Sequence, residues 1–357
     1  MSLDKLRAQV DRIDQQIVNL LNKRCMVVAK IGKAKIKGGK KIYVPEREKQ
    51  LLSRLEKINK NGFLPQKSLR AIYREIMSAA ISIEKPLEIA YFGQEASFTH
   101  LAAYSKFGHA PKYSAKTTIS DVFNDVDAER YDYGVVPIEN STEGVVNHTL
   151  DMLVNSSVKI CAEINMRIHQ NLLANCEMKK IKKIYAHAQC FGQCRLWLQE
   201  NMSGVEIIEV SSTSKAAELA AREDKSAAIA SSMSAKVYKL KLIAEKIEDN
   251  PYNTTRFLVI GKQEPNATGD DKTSICYAVK DRVGALYDSL VPFKKHGITL
   301  SMIESRPSRR KNWEYFFFVD VKGHISDGNI RNAIEELTEI CQFVKILGSY
   351  PQSVNDL

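Results

Sequence analysis

The first quarter of the chain carries an apolar stripe that runs too far for a small domain to bury by itself. Leu6, Val10, Ile13, Ile17 and Leu20, followed by Val27 and Ile31, recur at alternating steps of four and three residues. That spacing marks one face of a helix. It predicts a helix from about Leu3 to Lys37, stopped by Gly38 and Gly39. So long a helix does not fit a compact monomeric block of 85 residues, so it should pack against a partner chain. Pro45 opens a second helix with Leu51, Leu52, Leu55 and Ile58 on its inner side, and Asn61-Gly62 breaks it. A third helix runs from about Gln66 to Glu84, and Pro86 ends the block.

The pattern then changes. Residues 87–260 alternate short apolar strands (LEIAYFG, YDYGVVPIEN, KKIYAHAQ, VEIIEVSS) with helical stretches, which predicts an α/β block with mostly parallel strands. Residues 261–272, rich in polar residues with Pro and Gly, read as a linker. TSICYAVK, GALYDSLVPFKKHG, ITLSMIESRP, WEYFFFVDVKG, DGNIRNAIEELTEI and FVKILGSYP follow in the order βαββαβ, the ferredoxin-like α+β arrangement. The expected domains are therefore an all-α helical bundle at 1–86, an α/β domain at 87–261 and an α+β domain at 272–357.

Composition narrows the class. With 44% apolar and 26% charged residues in 357, the chain is neither a disordered tail nor a fibrous rod. No stretch approaches the roughly 18 apolar residues of a membrane span, and the charged N-terminus is not a signal peptide. Seven scattered cysteines fit reduced thiols in a cytoplasmic protein. Cys190 and Cys194 have no second pair nearby, so a zinc site is not expected. The net charge of +10 comes from the helical block, where residues 1–85 hold 20 Lys and Arg against 8 Asp and Glu, a balance of +12, while the remaining residues carry a balance of −2. Something anionic is implied: nucleic acid, an acidic surface or a small polycarboxylate.

The position of the charges favours the last. Continuing the stripe four residues past Leu20 reaches Arg24, an inner position. Lys35 shares its face about 16 Å further along. Arg7 lies about 100° away around the same helix, so only a partner's Arg7 reaches the same pocket. Arg47 and Glu48 precede Leu51 and Leu52 by one turn, and Glu84 continues the stripe of Tyr73, Met77 and Ala80. Charges buried between helices are costly unless they meet a ligand. A nucleic-acid module needs its basic residues facing outward and leaves inward Arg24, Arg47 and Glu84 unexplained. The set lacks a nucleophile with a base and lacks metal-ligand spacing, and it suits binding a dicarboxylate and stabilising developing charge.

LRAQVDRID, NKRCMVVAKIGKAK and PERE resemble the helical class of chorismate mutases. The resemblance implies an intertwined dimer in which Arg7 of one chain and Arg24 of the other grip the substrate carboxylates. It places Lys35 and Glu84 beside the ether oxygen, and Arg47 and Glu48 near the second carboxylate and ring hydroxyl. Catalysis is then conformational restriction with charge complementarity. Glu84 donates to an ether oxygen only when protonated, which nearby Lys35 opposes. Val44 stands where many members carry Asp, so a side-chain contact is expected to be missing there.

In the middle block, YFGQEASFTH, VVPIENSTEG and NPYNTTRF place Ser, Thr and Asn at strand ends, where α/β folds bind ligands. No GxGxxG follows a strand, so a dinucleotide site is unsupported. Together these segments resemble prephenate dehydratase, a two-lobed α/β fold. The resemblance implies Thr255 as catalytic residue, with Glu139, Asn140, Ser141, Asn253 and Arg256 around the substrate. Loss of carbon dioxide and the ring hydroxyl creates an aromatic ring, so a weak hydroxyl donor suffices and Arg256 or backbone N–H groups hold carboxylate. Gln94 and Ala96 stand where Pro and Gly are usual, and Ala188 stands where Pro is usual.

The last block resembles an ACT domain. Gly284-Ala285-Leu286 and Glu304-Ser305-Arg306-Pro307 match segments that line a phenylalanine site between paired domains. A helix N-terminus there offers N–H groups to a carboxylate. The whole implies a bifunctional enzyme that takes chorismate through prephenate to phenylpyruvate under feedback by L-phenylalanine. It is expected to be a cytoplasmic homodimer or higher homo-oligomer without cofactor, metal, nucleic-acid or membrane partner. A dehydratase with a decayed mutase block, or one preferring arogenate, is the alternative.

Overall fold

The apolar period of the N-terminal block yields helix α1 over Leu3–Lys37, followed by α2 (Pro45–Ile58) and α3 (Gln66–Glu84). The computed structural model describes residues 2–39, 41–280, 282–307 and 315–353. The chain divides into two units, Met1–Glu88 with Phe107–Lys112 and Ile89–Lys106 with Tyr113–Leu357.

In the first unit, α1 buries Val28 and Gly32 against its own chain. Leu6, Val10, Ile13, Ile17, Leu20, Val27 and Ile31 remain exposed along it. Ile58, expected on the inner side of α2, is also exposed. Gly32 lies where α1 packs against Glu84 of α3. A Cβ there would lie 2.8 Å from Glu84 Cγ, so only glycine lets the carboxylate come this near.

The second unit begins with β1 (Glu88–Phe92), α4 (Phe98–Phe107), β2 (Lys112–Lys116), α5 (Ile119–Asp127), β3 (Tyr133–Asn140), β4 (Gly144–Val145), α6 (Asn147–Asn155) and β5 (Lys159–Arg167). A second lobe follows with β6 (Asn171–Ala174), β7 (Lys183–Ala186), α7 (Ala188–Gln193), α8 (Arg195–Asn201), β8 (Glu206–Glu209), α9 (Thr213–Arg222), β9 (Ser226–Ala230), α10 (Ser232–Val237) and β10 (Lys241–Ala244). The chain then returns to the first lobe as β11 (Thr254–Gly261). The two sheets run β2-β1-β3-β11-β5, with β4 beside β3, and β10-β6-β9-β7-β8.

Fewer strands are parallel than the alternating pattern predicts. The pairs β1–β3, β7–β8 and β7–β9 are parallel. However, β11 is antiparallel to β3 and β5, and β6 is antiparallel to β9 and β10. The chain leaves the first lobe through β5 and re-enters through β11, so neighbouring strands must run in opposite directions.

The last block forms β12 (Asp271–Val279), α11 (Ala285–Lys295), β13 (Leu300–Pro307), β14 (Tyr315–Lys322), α12 (Gly328–Ile340) and β15 (Cys341–Pro351), in the expected βαββαβ order. Trp313 and Glu314, expected at the start of β14, lie outside the described residues. Its antiparallel sheet runs β13-β14-β12-β15. Alternate residues feed two cores, as strand geometry requires. Ile275, Tyr277, Phe317 and Val319 cluster with Ile330, Ala333 and Leu337 of α12. Cys276, Phe316, Phe318 and Tyr350 instead join the cluster of Ile138, Leu150, Ile160 and Leu258 in the first lobe. Gly348 permits this seam, because a Cβ there would lie 2.3 Å from the Ile160 carbonyl oxygen.

A charged network is buried in the same seam. Arg256 Nε meets Glu163 at 2.7 Å and Nη1 meets Asp320 at 2.6 Å. Lys272 Nζ meets Glu163 at 2.8 Å, and Arg256 Nη2 donates to the Tyr350 hydroxyl at 2.9 Å. Burial works to raise the Glu163 carboxyl, but Arg256 and Lys272 outweigh it and hold the group below its ordinary value of 4.5. A depressed folded-state value gives stability that is present above the unfolded value and lost as pH falls through the folded one. Glu163→Gln should therefore destabilise the second unit by about 3 kcal/mol at neutral pH. In thermal unfolding, its deficit relative to wild type should shrink once the pH falls below 4.5.

Candidate active sites

In the first unit, Lys35 Nζ donates to Glu84 Oε2 at 2.8 Å and to the Ile42 carbonyl at 2.7 Å. The Glu84 side chain is almost fully buried. Lys35 and Glu84 touch directly. Arg24 Nη1 is buried with no hydrogen-bond partner among the described residues, a donor directed at an acceptor the chain does not provide. Glu48 accepts from the Tyr43 hydroxyl at 2.8 Å.

Two further residues of the block lie away from this cluster: Arg7, expected to act only from a partner chain, and Arg47, expected to face inward. Arg7 is 69% exposed and lies near Asp4, consistent with its angular offset from Arg24. Arg47 is exposed, and the buried residues of α2 are Pro45 and Glu46. The inner face of α2 passes through Pro45, Glu48, Leu52 and Leu55, which leaves Arg47 to one side. Val44 is the N-cap of α2 and supplies no side-chain cap.

The middle block builds its site where β3 ends and β11 begins. Thr255 pairs in register with Asn140. Asn140 Oδ1 accepts from the backbone N–H groups of Thr142 at 2.9 Å and Glu143 at 3.1 Å, which fixes the orientation of its amide. Asn140 Nδ2 then donates to Thr255 Oγ1 at 2.7 Å and to Asn253 Oδ1 at 2.9 Å. Two donors are left over side by side. The Thr255 oxygen already accepts, so its proton is available to another oxygen. Asn253 is 2% exposed, and its Nδ2 has no partner among the described residues. Ser141 closes the strand end, donating its N–H to the Thr254 carbonyl and accepting from the Thr254 N–H.

Glu139 and Arg256 are register partners one residue along. Strand alternation places them on the opposite face from Asn140 and Thr255. Arg256 is therefore not the carboxylate clamp expected from sequence, because it is committed to Glu163 and Asp320. For the same reason Glu139 is not brought to the Thr255 hydroxyl.

Sequence reasoning missed the contacts between lobes. Gln94 Oε1 accepts from the Ser212 hydroxyl at 3.0 Å, and the Ala96 carbonyl accepts from Ser231 at 2.9 Å and Ser234 at 3.3 Å. Ser212 and Ser231 are N-caps of α9 and α10, so the visible signal was a Ser opening each helix. Ala96 has φ 63°, a conformation that explains why glycine is usual at this place. His100 Nδ1 accepts from the Ala96 N–H, and its ring stacks on Tyr91 at 4.4 Å. Burial holds its pKa below the ordinary imidazole value against the pull of Glu95, so His100 is neutral at pH 7.

Cys190 and Cys194 lie in the core of the second lobe. Burial pushes the Cys190 thiol up to about 12 and the Cys194 thiol up as well. Among the described residues no cluster of His, Cys, Asp and Glu is placed to hold a metal ion, and no helix is long and apolar enough to cross a membrane.

In the last block, Gly284 is the N-cap of α11 with φ 80°, followed by Ala285 and exposed Leu286. Ser305 and Pro307 are exposed on β13, Glu304 is half-buried and Arg306 is buried. The segment expected to present Arg306 to an effector instead turns it inward to Asp151 of α6. The cause is again alternation along a strand, here one packed on the first lobe.

This is the architecture of a two-site enzyme carrying a sensing domain. Family models described as Chorismate mutase type II, Prephenate dehydratase and ACT domain match residues 6–85, 89–265 and 277–339. A protein of Aquifex aeolicus (strain VF5) is 47% identical over 99% of this chain and 98% of its own length. One of Stutzerimonas stutzeri is 43% identical over 99% and 98%. Both are described as bifunctional chorismate mutase/prephenate dehydratase. Among solved structures, a prephenate dehydratase from Arthrobacter aurescens in complex with L-Phe is similar at TM-score 0.70 and 32% identity, over 76% of this chain and 92% of that one. The chain belongs to the bifunctional chorismate mutase/prephenate dehydratase family.

The Asn140 geometry carries a specific consequence. Asn140→Asp replaces the donor with an acceptor that captures the Thr255 proton. Its dehydratase kcat should fall about 100-fold or more, with a much smaller change in KM. Asn140→Ala, which leaves that proton free, should lose less. Steady-state rates on prephenate distinguish the two.

Proposed function

We propose that this chain rearranges chorismate to prephenate within residues 1–86 and converts prephenate to phenylpyruvate within residues 87–261. Residues 272–357 impose feedback by L-phenylalanine. The observation that carries the dehydratase reading is the pair of donors left by Asn140. The Thr255 hydroxyl donates to the departing ring hydroxyl, and Asn253 Nδ2 binds a substrate oxygen. The C–O and C–CO₂ bonds break together as the ring becomes aromatic; carbon dioxide leaves, and the departing hydroxide becomes water by taking the Thr255 proton, which a proton from solvent replaces. With aromatisation driving the step, a weak neutral donor that is itself largely buried is adequate.

In the mutase block no group forms a bond to substrate. Arg24 and the partner chain's copy of Arg7 hold the carboxylates, and Lys35 and Glu84 bracket the ether oxygen, so the bent geometry is selected from many. Support for a partner chain comes from the exposed stripe of α1, and a homodimer is the smallest assembly that covers it. The enzyme acts in the cytoplasm. Effector binding falls to the N-terminus of α11 with Ser305 and Pro307 on exposed β13.

Chorismate supplied alone should yield phenylpyruvate, with L-phenylalanine slowing the second step, in a two-wavelength assay. Consumption of prephenate with chorismate left untouched would mean that the mutase block is only a scaffold. Gly32→Ala separates the sites. Overpacking against Glu84 should cost the helical block about 1–3 kcal/mol and lower mutase kcat about tenfold or more, while dehydratase rates on added prephenate hold. Glu84→Gln keeps a hydrogen-bond donor beside the ether oxygen, so it should retain much more mutase activity than Glu84→Ala. Equal losses in the two variants would remove Glu84 as the donor.

A further inference from the structure

We propose that Arg306 is a positioning residue that couples the sensing domain to the dehydratase hydroxyl through Asp151 on α6. The inference rests on the feedback reading above and names the contact through which feedback travels. Arg306 lies between two exposed residues of β13, yet its own side chain is 8% exposed. Nη2 donates to Asp151 Oδ2 at 3.1 Å. Nε and Nη1 are buried without partners among the described residues. Two donors unsatisfied among the described residues are costly, so the guanidinium is a poor stability device, and its contact with Asp151 leaves the sensing domain altogether.

The contact falls on a helix held at both ends. Lys345, from β15 of the same domain, donates to the carbonyls of Leu153, Val154 and Ser156 at 2.8, 2.9 and 2.6 Å. It thereby satisfies the C-terminal carbonyls of α6 and complements their partial negative charge. At the other end, Val146 N–H donates to the Ile138 carbonyl at 2.7 Å and Thr149 Oγ1 to the Pro137 carbonyl at 2.6 Å. Between β3 and α6 runs the short segment whose Thr142 and Glu143 N–H groups orient Asn140. A shift of α6 along its axis therefore moves the groups that set the direction of the Thr255 proton. The sensing domain grips the helix through Arg306 and Lys345, and the dehydratase site hangs from its start. Such an element, biased from both sides, is the physical requirement for coupling between sites.

The test compares Asp151→Asn and Asp151→Glu in the full chain. It uses L-phenylalanine binding by calorimetry and residual dehydratase velocity at saturating L-phenylalanine. Asp151→Asn should bind L-phenylalanine within about threefold of the wild-type Kd while residual velocity rises about fivefold or more. Asp151→Glu, which keeps the charge, should remain inhibited. An Asp151→Asn enzyme inhibited as fully as wild type overturns the coupling. So does loss of L-phenylalanine binding in that variant, which would place the pair in the effector site itself. If circular dichroism shows Asp151→Asn unfolded, Arg306→Lys, which keeps charge but loses reach, decides by the same two readouts. A wild-type chain that gives no binding heat with L-phenylalanine defeats the feedback reading itself, and the coupling with it.

Discussion

The second unit depends on one guanidinium. Arg256 lies next to Thr255 on β11, and its side chain reaches Glu163 on β5, Asp320 on β14 and Tyr350 on β15. A buried cation tolerates this position only because two carboxylates and a hydroxyl surround it. Those partners come from both the dehydratase sheet and the sensing sheet. The strand that carries Thr255 is therefore pinned, one residue away, to the sheet of the ACT domain. Lys272 supplies the second cation that lets Glu163 remain ionised. The apolar seam around the network, with Gly348 against Ile160, makes the two sheets share a core instead of merely touching.

Alternation along strands explains how this seam and the site coexist. Even-numbered residues of β12 and β14 face the dehydratase lobe and odd-numbered residues face α12. At the start of β11, Thr255 faces Asn140 while Arg256 faces the sensing sheet. On β13, Arg306 turns inward between exposed Ser305 and Pro307. Each of these motifs is divided by its strand into neighbours that face opposite ways. A one-residue register slip would exchange those faces.

Much of this was legible in the sequence. The spacing of apolar residues gave α1 from Leu3 to Lys37, and Pro45, Gly62 and Pro86 set the ends of the next two helices. The βαββαβ order came from periodicity and turn residues alone. Inward Arg24, Lys35 and Glu84 followed from helix phase, because a period of 3.6 residues is fixed by backbone geometry. Arg47 failed because α2 is entered through Pro45 with a phase that neighbouring leucines do not fully determine. Arg256 and Arg306 failed because nothing local says which face of a strand meets another domain. The antiparallel β11 was hidden by its distance in sequence from β3 and β5, since pairing partners far apart leave no local trace. The lobe contacts through Gln94 and Ala96 were noticed only as departures, and their partners Ser212 and Ser231 looked like ordinary helix caps.

The central claim is that the dehydratase lobe and the sensing sheet form one cooperative body around Arg256. Native-state hydrogen exchange measures this directly. The account predicts that amides of β11 at Phe257–Ile260 and of β12 at Ser274–Tyr277 exchange through a common opening with the same free energy. It also predicts that L-phenylalanine raises the protection of both together. Exchange of the sensing strands through an independent, lower-energy opening, with β11 still fully protected, would contradict it.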